Sequence, residues 1–483
     1  MVLFACLAAL SPVFASELSD DLAARRSSVM ERLGPESLLV LQSAPVRNYS
    51  GDVDYEYRQD SYLYYLTGID QEGTRLVLMP GNETRKELLF VPSSEAAQPG
   101  ITAPPLTMAE AREQSGIQTI LPASQFEPFL AAVLSRGPFR LAPADDPASE
   151  YQRFFHALDA DRAKVALTLE RRQNLSGPLP PTAAFAASLK ERFSGFTTVD
   201  VTDMLGELRQ IKTPVEQSLL EQSAAISSEA HLAAMRATRA GGSESEVKAA
   251  LAAVFLARGA LGWSYPPIVA SGPNATILHY AKSSRRMEAG DLLLVDAAAN
   301  YQYLTADITR TYPVNGTFSA AQKDIYQVVL KAQDAGVSAV HVGARIGDIE
   351  LQVATVLKEG LLKLGLLTDG DSQQYRVWYT HAAVHFIGID VHDPGDFTRP
   401  LAPGMAFVIE PGIYIREGAL DELPATPDNI AFRAQVRPAY ERYRNIGVRI
   451  EDSFLLTNTG LKHLSATVPR TIEDIERVLA SRR

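Results

Sequence analysis

GDLLLVDAAANYQYLTADITRTYPVNGTF, residues 290–318, places two carboxylates where a strand ought to be apolar throughout. Leu292–Val295 is an unbroken apolar run ending on Asp296, and Asp307 is followed directly by Ile308 and a β-branched, aromatic stretch. Each half therefore reads as a strand. The two acids are eleven positions apart, and Ala299–Gln302 between them is expected to turn. One hairpin would then present both carboxylates to a common point. A buried carboxylate without a partner costs several kcal/mol, so a counter-charge has to be sought elsewhere in the chain.

Working outward, the same oddity recurs twice. FVIEPGIYI (407–415) carries Glu410 and VRIEDSFLLT (448–457) carries Glu451, each beside an apolar run. Any one of these acids reads as a surface residue at a strand end. Four in one place would repel strongly unless cations balanced them, and two divalent ions supply the matching charge. Between these blocks, THAAVHFIGIDVHD (380–393) holds His381, His385 and His392, three of the eight histidines. One imidazole added to four carboxylates makes an oxygen-rich shell that suits Mn2+, with Co2+ or Zn2+ also tolerated. Two such ions about 3.5–4 Å apart form a hydrolytic pair. His381 and His385 have the i, i+4 spacing of a zincin helix, but Ala382 stands where that motif needs glutamate. No nucleophile elbow, phosphate loop or dinucleotide fingerprint is present.

The wider chain sets the frame. Its 483 residues exceed one ordinary core and predict two domains. A net charge of -11 argues against nucleic acid and anionic membranes as partners. The only cysteine, Cys6, removes disulfides, cysteine zinc sites and thiol catalysis together. Residues 1–15 are uncharged and too short for a bilayer, which needs about 20 apolar residues, so no membrane span is expected. They fit the apolar part of a signal peptide closing on Val13-Phe14-Ala15, although the usual preceding Lys or Arg is missing. Export to the periplasm or the medium follows if they are one, and a cytoplasmic location if not.

Residues 16–205 alternate helical stretches with strand-like runs such as RLVLMPG and ELLFVP, as in a smaller α/β domain. Thr213-Pro214-Val215-Glu216 is a capping box opening a long helix, and the domain border is expected shortly before it, at 205/206. Helices are expected over 214–238, 244–258 and 320–337, with another after Asp348. With the strand blocks they make residues 206–483 α+β, an antiparallel sheet with flanking helices. The polar, Pro-containing stretch between Tyr414 and Gly447 is expected to be a surface excursion near the site mouth.

The four blocks, in this order and nearly this spacing, resemble the ligand blocks of the pita-bread metallopeptidase family, within its proline-specific branch of aminopeptidase P and prolidase. EYRQDSYLYYLTGID (56–70) resembles the amino-terminal domain of that branch, which methionine aminopeptidases lack. The resemblance implies Asp296, Asp307, His385, Glu410 and Glu451 as ligands of two divalent metal ions. It further implies His392 and His279 (in TILHY) as substrate-contacting histidines, His381 as a second pocket histidine, Tyr265 as a site residue and Arg449 as support for the carboxylates. Glu410 would double as general base. Ala298 and Asn300 depart from a glycine and an acid common in the family, and neither is a ligand. The activity implied is that of an Xaa-Pro aminopeptidase acting on peptides with proline second, in a dimer or tetramer. Prolidase, cleaving only Xaa-Pro dipeptides, is the alternative. A non-catalytic binding module is a remote one, since all five ligand positions stand.

Overall fold

The computed structural model describes residues 12–93, 103–137, 139–140, 147–169 and 176–481. The leader expected at 1–15 lies outside the described residues up to position 11, and the helix Pro12–Leu33 follows. Among the described residues no helix is long and apolar enough to cross a membrane. The chain divides into two compact units, Met1–Leu208 and Arg209–Arg483.

The first unit is α/β. Its six-stranded sheet runs, edge to edge, Thr119–Pro122, Glu87–Val91, Arg75–Leu78, Ser37–Gln42, Ala163–Leu167 and Phe196–Asp200. The two pairings made by Arg75–Leu78 are antiparallel and the other three parallel. Strands such as SLLVLQ are almost wholly buried, which is why they read as apolar runs and not as alternating patterns. Leu38, Val40, Val77 and Phe90 of the sheet pack with Phe129, Phe154 and Leu189 of the helices Phe126–Leu134, Gln152–Asp159 and Pro181–Arg192.

The second unit repeats one pattern. The helices Pro214–Ala237 and Glu244–Ala257 precede an antiparallel sheet of Ile268–Ser271, Leu292–Asp296 and Thr309–Pro313. Ala320–Ser338 and Ile346–Lys363 then precede a second antiparallel sheet of Ala406–Ile409, Asp452–Thr457 and Gly460–His463. Reciprocal capping boxes at Thr213/Glu216 and Ser319/Gln322 start the first helix of each pair. The later two helices pack closely because Gly360 lacks a side chain: a Cβ there would lie 2.4 Å from Val328. A bridge between Thr309 and Glu451 joins the two sheets. The acids therefore come from different sheets that meet at their ends.

Three expectations need correction. Asp296 and Asp307 do flank a hairpin, since Asp296 pairs with Thr309, but Ala299–Gln302 is not its turn. Ala299–Tyr301 is itself a strand, paired with Leu304–Thr305 around Gln302 and Tyr303. Both turn residues have positive φ, 51° and 68°, as a two-residue type I′ turn requires. The ribbon stays extended because two serines of the helix Pro214–Ala237 grip it. Ser223 donates to the Ala299 carbonyl at 2.7 Å, and Ser227 accepts from the Ala299 N–H at 2.9 Å.

The stretch between Tyr414 and Gly447 is not a mere surface excursion. It contains the helix Pro427–Tyr443, whose Phe432, Val436, Tyr440 and Tyr443 are buried. That near-four-residue spacing is one helical face, and Tyr440 stacks on Trp378, three residues before His381. Finally, the helix expected after Asp348 begins two residues earlier, at Ile346.

Candidate metal centre

Asp296 ends one strand, Asp307 precedes its partner, Glu410 follows Ala406–Ile409, and Glu451 precedes Asp452–Thr457. Strand ends are where a side chain can leave the sheet while its backbone remains paired. His385 sits on irregular chain, outside any helix, so the i, i+4 spacing of His381 and His385 has no helical meaning. Glu350 of the helix Ile346–Lys363 holds this segment, accepting from the N–H groups of Ala383 and Val384 at 2.7 and 3.0 Å. The five expected ligands, together with His279, His381, His392, Arg449 and Leu278, line one cavity of about 240 Å³.

The geometry asks for cations. His385 Nδ1 lies 3.1 Å from the Phe386 carbonyl; donating there leaves Nε2 as a bare acceptor. That Nε2 faces Glu410 at 3.5 Å, Asp307 at 3.6 Å and Glu451 at 3.8 Å, beyond hydrogen-bond reach. Atoms coordinated at about 2.0–2.2 Å to one ion lie no more than about 4.4 Å apart, so these spacings suit an intervening metal. One ligand atom each from Asp307, His385 and Glu451 falls within 4.8 Å of the others.

Electrostatics agree. Burial, then Glu451 and Asp296, push the Asp307 carboxyl well above the usual range. Burial, then Glu451, do the same to Glu410. Without positive charge this cluster resists ionising; with it, the donor set fits two divalent ions.

A ring of donors orients the carboxylates from behind. Tyr265, which could have been core filler, donates to Asp296 at 2.7 Å and contacts Asp307. Burial and those two acids raise its hydroxyl far above the ordinary value, so it stays a donor. Arg449 pairs with Asp296 and donates to Thr309 Oγ1 at 3.1 Å; Thr309 in turn donates to Glu451 at 2.7 Å. Burial opposes the charge on Arg449, but Tyr414, Asp296, Glu451 and Glu410 more than offset it.

His381 Nε2 lies 2.8 Å from the Tyr414 hydroxyl, which accepts from Arg449 at 3.0 Å. Burial, then Arg449, lower the His381 pKa to about 3, so it is neutral. His392 packs edge-on against His385, ring centroids 4.3 Å apart. Burial, then His385 and His279, lower its pKa too.

Thr309, Tyr414 and Glu350 were not among the residues expected at the site. The first was legible, since it lies two residues past Asp307 and so on the same side of the strand. The other two act across long chain separations that no local pattern announces. Of the histidines matching no block, His231 is buried, its Nε2 3.0 Å from the Ala297 carbonyl. His156 and His341 are exposed, and His463 pairs with Asp452 at 3.0 Å.

Comparison with known proteins gives a consistent picture. The model for Metallopeptidase family M24 matches residues 218–458, and that for Aminopeptidase P, N-terminal domain matches residues 22–140. An Xaa-Pro aminopeptidase of Haemophilus influenzae is 32% identical over 464 residues, 94% of this chain and 96% of its own length. The human Xaa-Pro dipeptidase is 30% identical over 473 residues, covering 92% of this chain and 89% of the relative. Aminopeptidase P from E. coli with the inhibitor Pro-Leu superposes with a TM-score of 0.78 at 29% identity, over 96% of this chain and 99% of that one.

Proposed function

The chain belongs to metallopeptidase family M24, and on that premise we infer that it is a metal-dependent Xaa-Pro aminopeptidase. It releases the N-terminal residue from peptides whose second residue is proline. The observation that carries this reading is the convergence of four carboxylates and the His385 imidazole, with three further histidines, on a single cavity. The chain also matches the aminopeptidase P N-terminal domain.

Asp296, Asp307, His385, Glu410 and Glu451 would hold two divalent ions, manganese by preference, with cobalt or zinc tolerated. Bound there, such ions acidify water and polarise the scissile carbonyl. The chain's own groups do the rest. Glu410 faces the cavity, with His381 3.7 Å from its Oε2, and takes the proton of the attacking water. Neutral His381, its Nε2 held by the Tyr414 hydroxyl and its Nδ1–H by the Ala382 carbonyl, stands beside Glu410 without competing for that proton. His279 and His392 flank the same cavity and donate to the substrate's peptide oxygen as it gains charge. Arg449 and Tyr265 keep Asp296 oriented throughout. A dimer or tetramer and an exported location are proposed from the family likeness and from residues 1–15 respectively.

The relatives named dipeptidase make prolidase the competing reading. Chelator-stripped protein, reloaded with Mn2+, is offered Gly-Pro and Gly-Pro-Ala. Release of glycine from the tripeptide is the expected result. Cleavage of Gly-Pro alone would establish the dipeptidase, and absence of both metal and turnover would leave only a binding module.

A further inference from the structure

His279 lies on irregular chain between the strands Ile268–Ser271 and Leu292–Asp296, just beyond the short 3-10 turn Gly272–Thr276. It is solvent-exposed while lining the cavity. No regular element fixes where its imidazole points, so something else must.

The segment is gripped by one carboxylate. Glu244, in the first turn of the helix Glu244–Ala257, is fully buried. Its Oε1 accepts from the Ser271 N–H at 2.7 Å, the Ser271 hydroxyl at 2.8 Å and the Asn274 side-chain amide at 3.1 Å. Its Oε2 accepts from the Tyr280 hydroxyl at 2.8 Å and the Arg285 N–H at 2.9 Å. The Glu244 N–H also donates to the Arg285 carbonyl at 3.0 Å.

All five donors to the carboxylate belong to residues 271–285, on both sides of His279. Tyr280, the next residue, is drawn into a small apolar group with Ile268, Leu294 and Tyr414. The exposed neighbour, His279, faces the cavity beside Leu278. A buried charge is a poor way to gain stability when apolar filling would serve as well. It is a good way to hold several backbone and side-chain donors in one arrangement, because each bond to a charged acceptor is short and directional.

We propose that Glu244 is the positioning residue of His279: it touches neither substrate nor metal, and sets the loop that aims the imidazole. This rests on the reading of His279 as a substrate-facing residue. Misplacing a reacting group by 1 Å can cost about 10²-fold, so Glu244→Gln is expected to lower kcat/KM by about 10–100-fold while metal content stays at the wild-type level. Tyr280→Phe, which removes one of the five donors and keeps the ring, is expected to cost about fivefold.

The decisive measurement repeats both substitutions in a His279→Ala background on full-length, manganese-loaded protein. There each is expected to cost less than about twofold, because the group they position is gone. Equal losses in the two backgrounds, or metal lost from Glu244→Gln, overturn the proposal. A His279→Ala enzyme with full turnover instead overturns the role of His279, and the positioning claim with it. If Glu244→Gln does not fold, the Tyr280→Phe pair completes the same cycle.

Discussion

Asp307→Asn should stabilise the metal-free protein and destabilise the metal-loaded one. Asparagine keeps the oxygen that Tyr265 contacts and removes only the charge. Ligand atoms of Asp307 and Glu451 lie within 4.8 Å of each other. At an effective dielectric of about 20, two charges at that distance repel by about 3.5 kcal/mol. Partial protonation already relieves some of this, so the gain in the stripped protein is on the order of 1–3 kcal/mol.

With Mn2+ at about 100 times Kd the native state gains about 2.7 kcal/mol per site, and the variant forfeits that gain where Asp307 was a ligand. The pH dependence has a definite sign. The folded Asp307 carboxyl is raised above its ordinary value of 3.8, so its native protonated form contributes stability at low pH that is lost as pH rises through the raised value. The stripped wild type should therefore weaken with rising pH more steeply than Asp307→Asn. Urea titration of both proteins, stripped and manganese-loaded, at several pH values measures all of this. An Asp307→Asn protein less stable than wild type when stripped of metal would refute the reasoning, because the acid would then be a structural acceptor and not one of a repelling set.

Two further outcomes follow from the same geometry. His392→Ala should cut turnover by about 10²–10⁴-fold with bound metal unchanged, measured by steady-state kinetics beside metal analysis; loss of the metal would make His392 a ligand. Burial lowers the His231 pKa from 6.5 to about 4, so its neutral native form adds stability above pH 6.5 that is lost as pH falls toward 4. The loss is about 3 kcal/mol. Denaturation of wild type and His231→Gln across that window should show the variant with the shallower acid slope, and equal slopes would discard the account.

Much of the site is legible in the amino-acid order, for a definite reason. A carboxylate next to an apolar strand is an anomaly under the burial rules, and four such anomalies in order are hard to produce without a cation to reconcile them. Helix starts were equally legible, because Thr213 and Ser319 cap their helices through residues three positions away. The stretch 415–446 shows the opposite case. Its charged residues suggested solvent, whereas its sparse apolar positions follow a helical period that only matters once Trp378 is there to meet Tyr440.

The amino-acid order by itself marked four carboxylates set against apolar runs and, through its length, the need for two domains, while the family resemblance implied which acids and which histidine would be ligands. Only the tertiary structure decided that Tyr414 meets Arg449 and His381, that Glu350 and Glu244 hold the loops bearing histidines, and that His231 stays neutral. Those contacts join residues 27 to 66 positions apart, and side-chain hydrogen bonds at such range depend on where sheets and helices come to rest, which no local periodicity encodes.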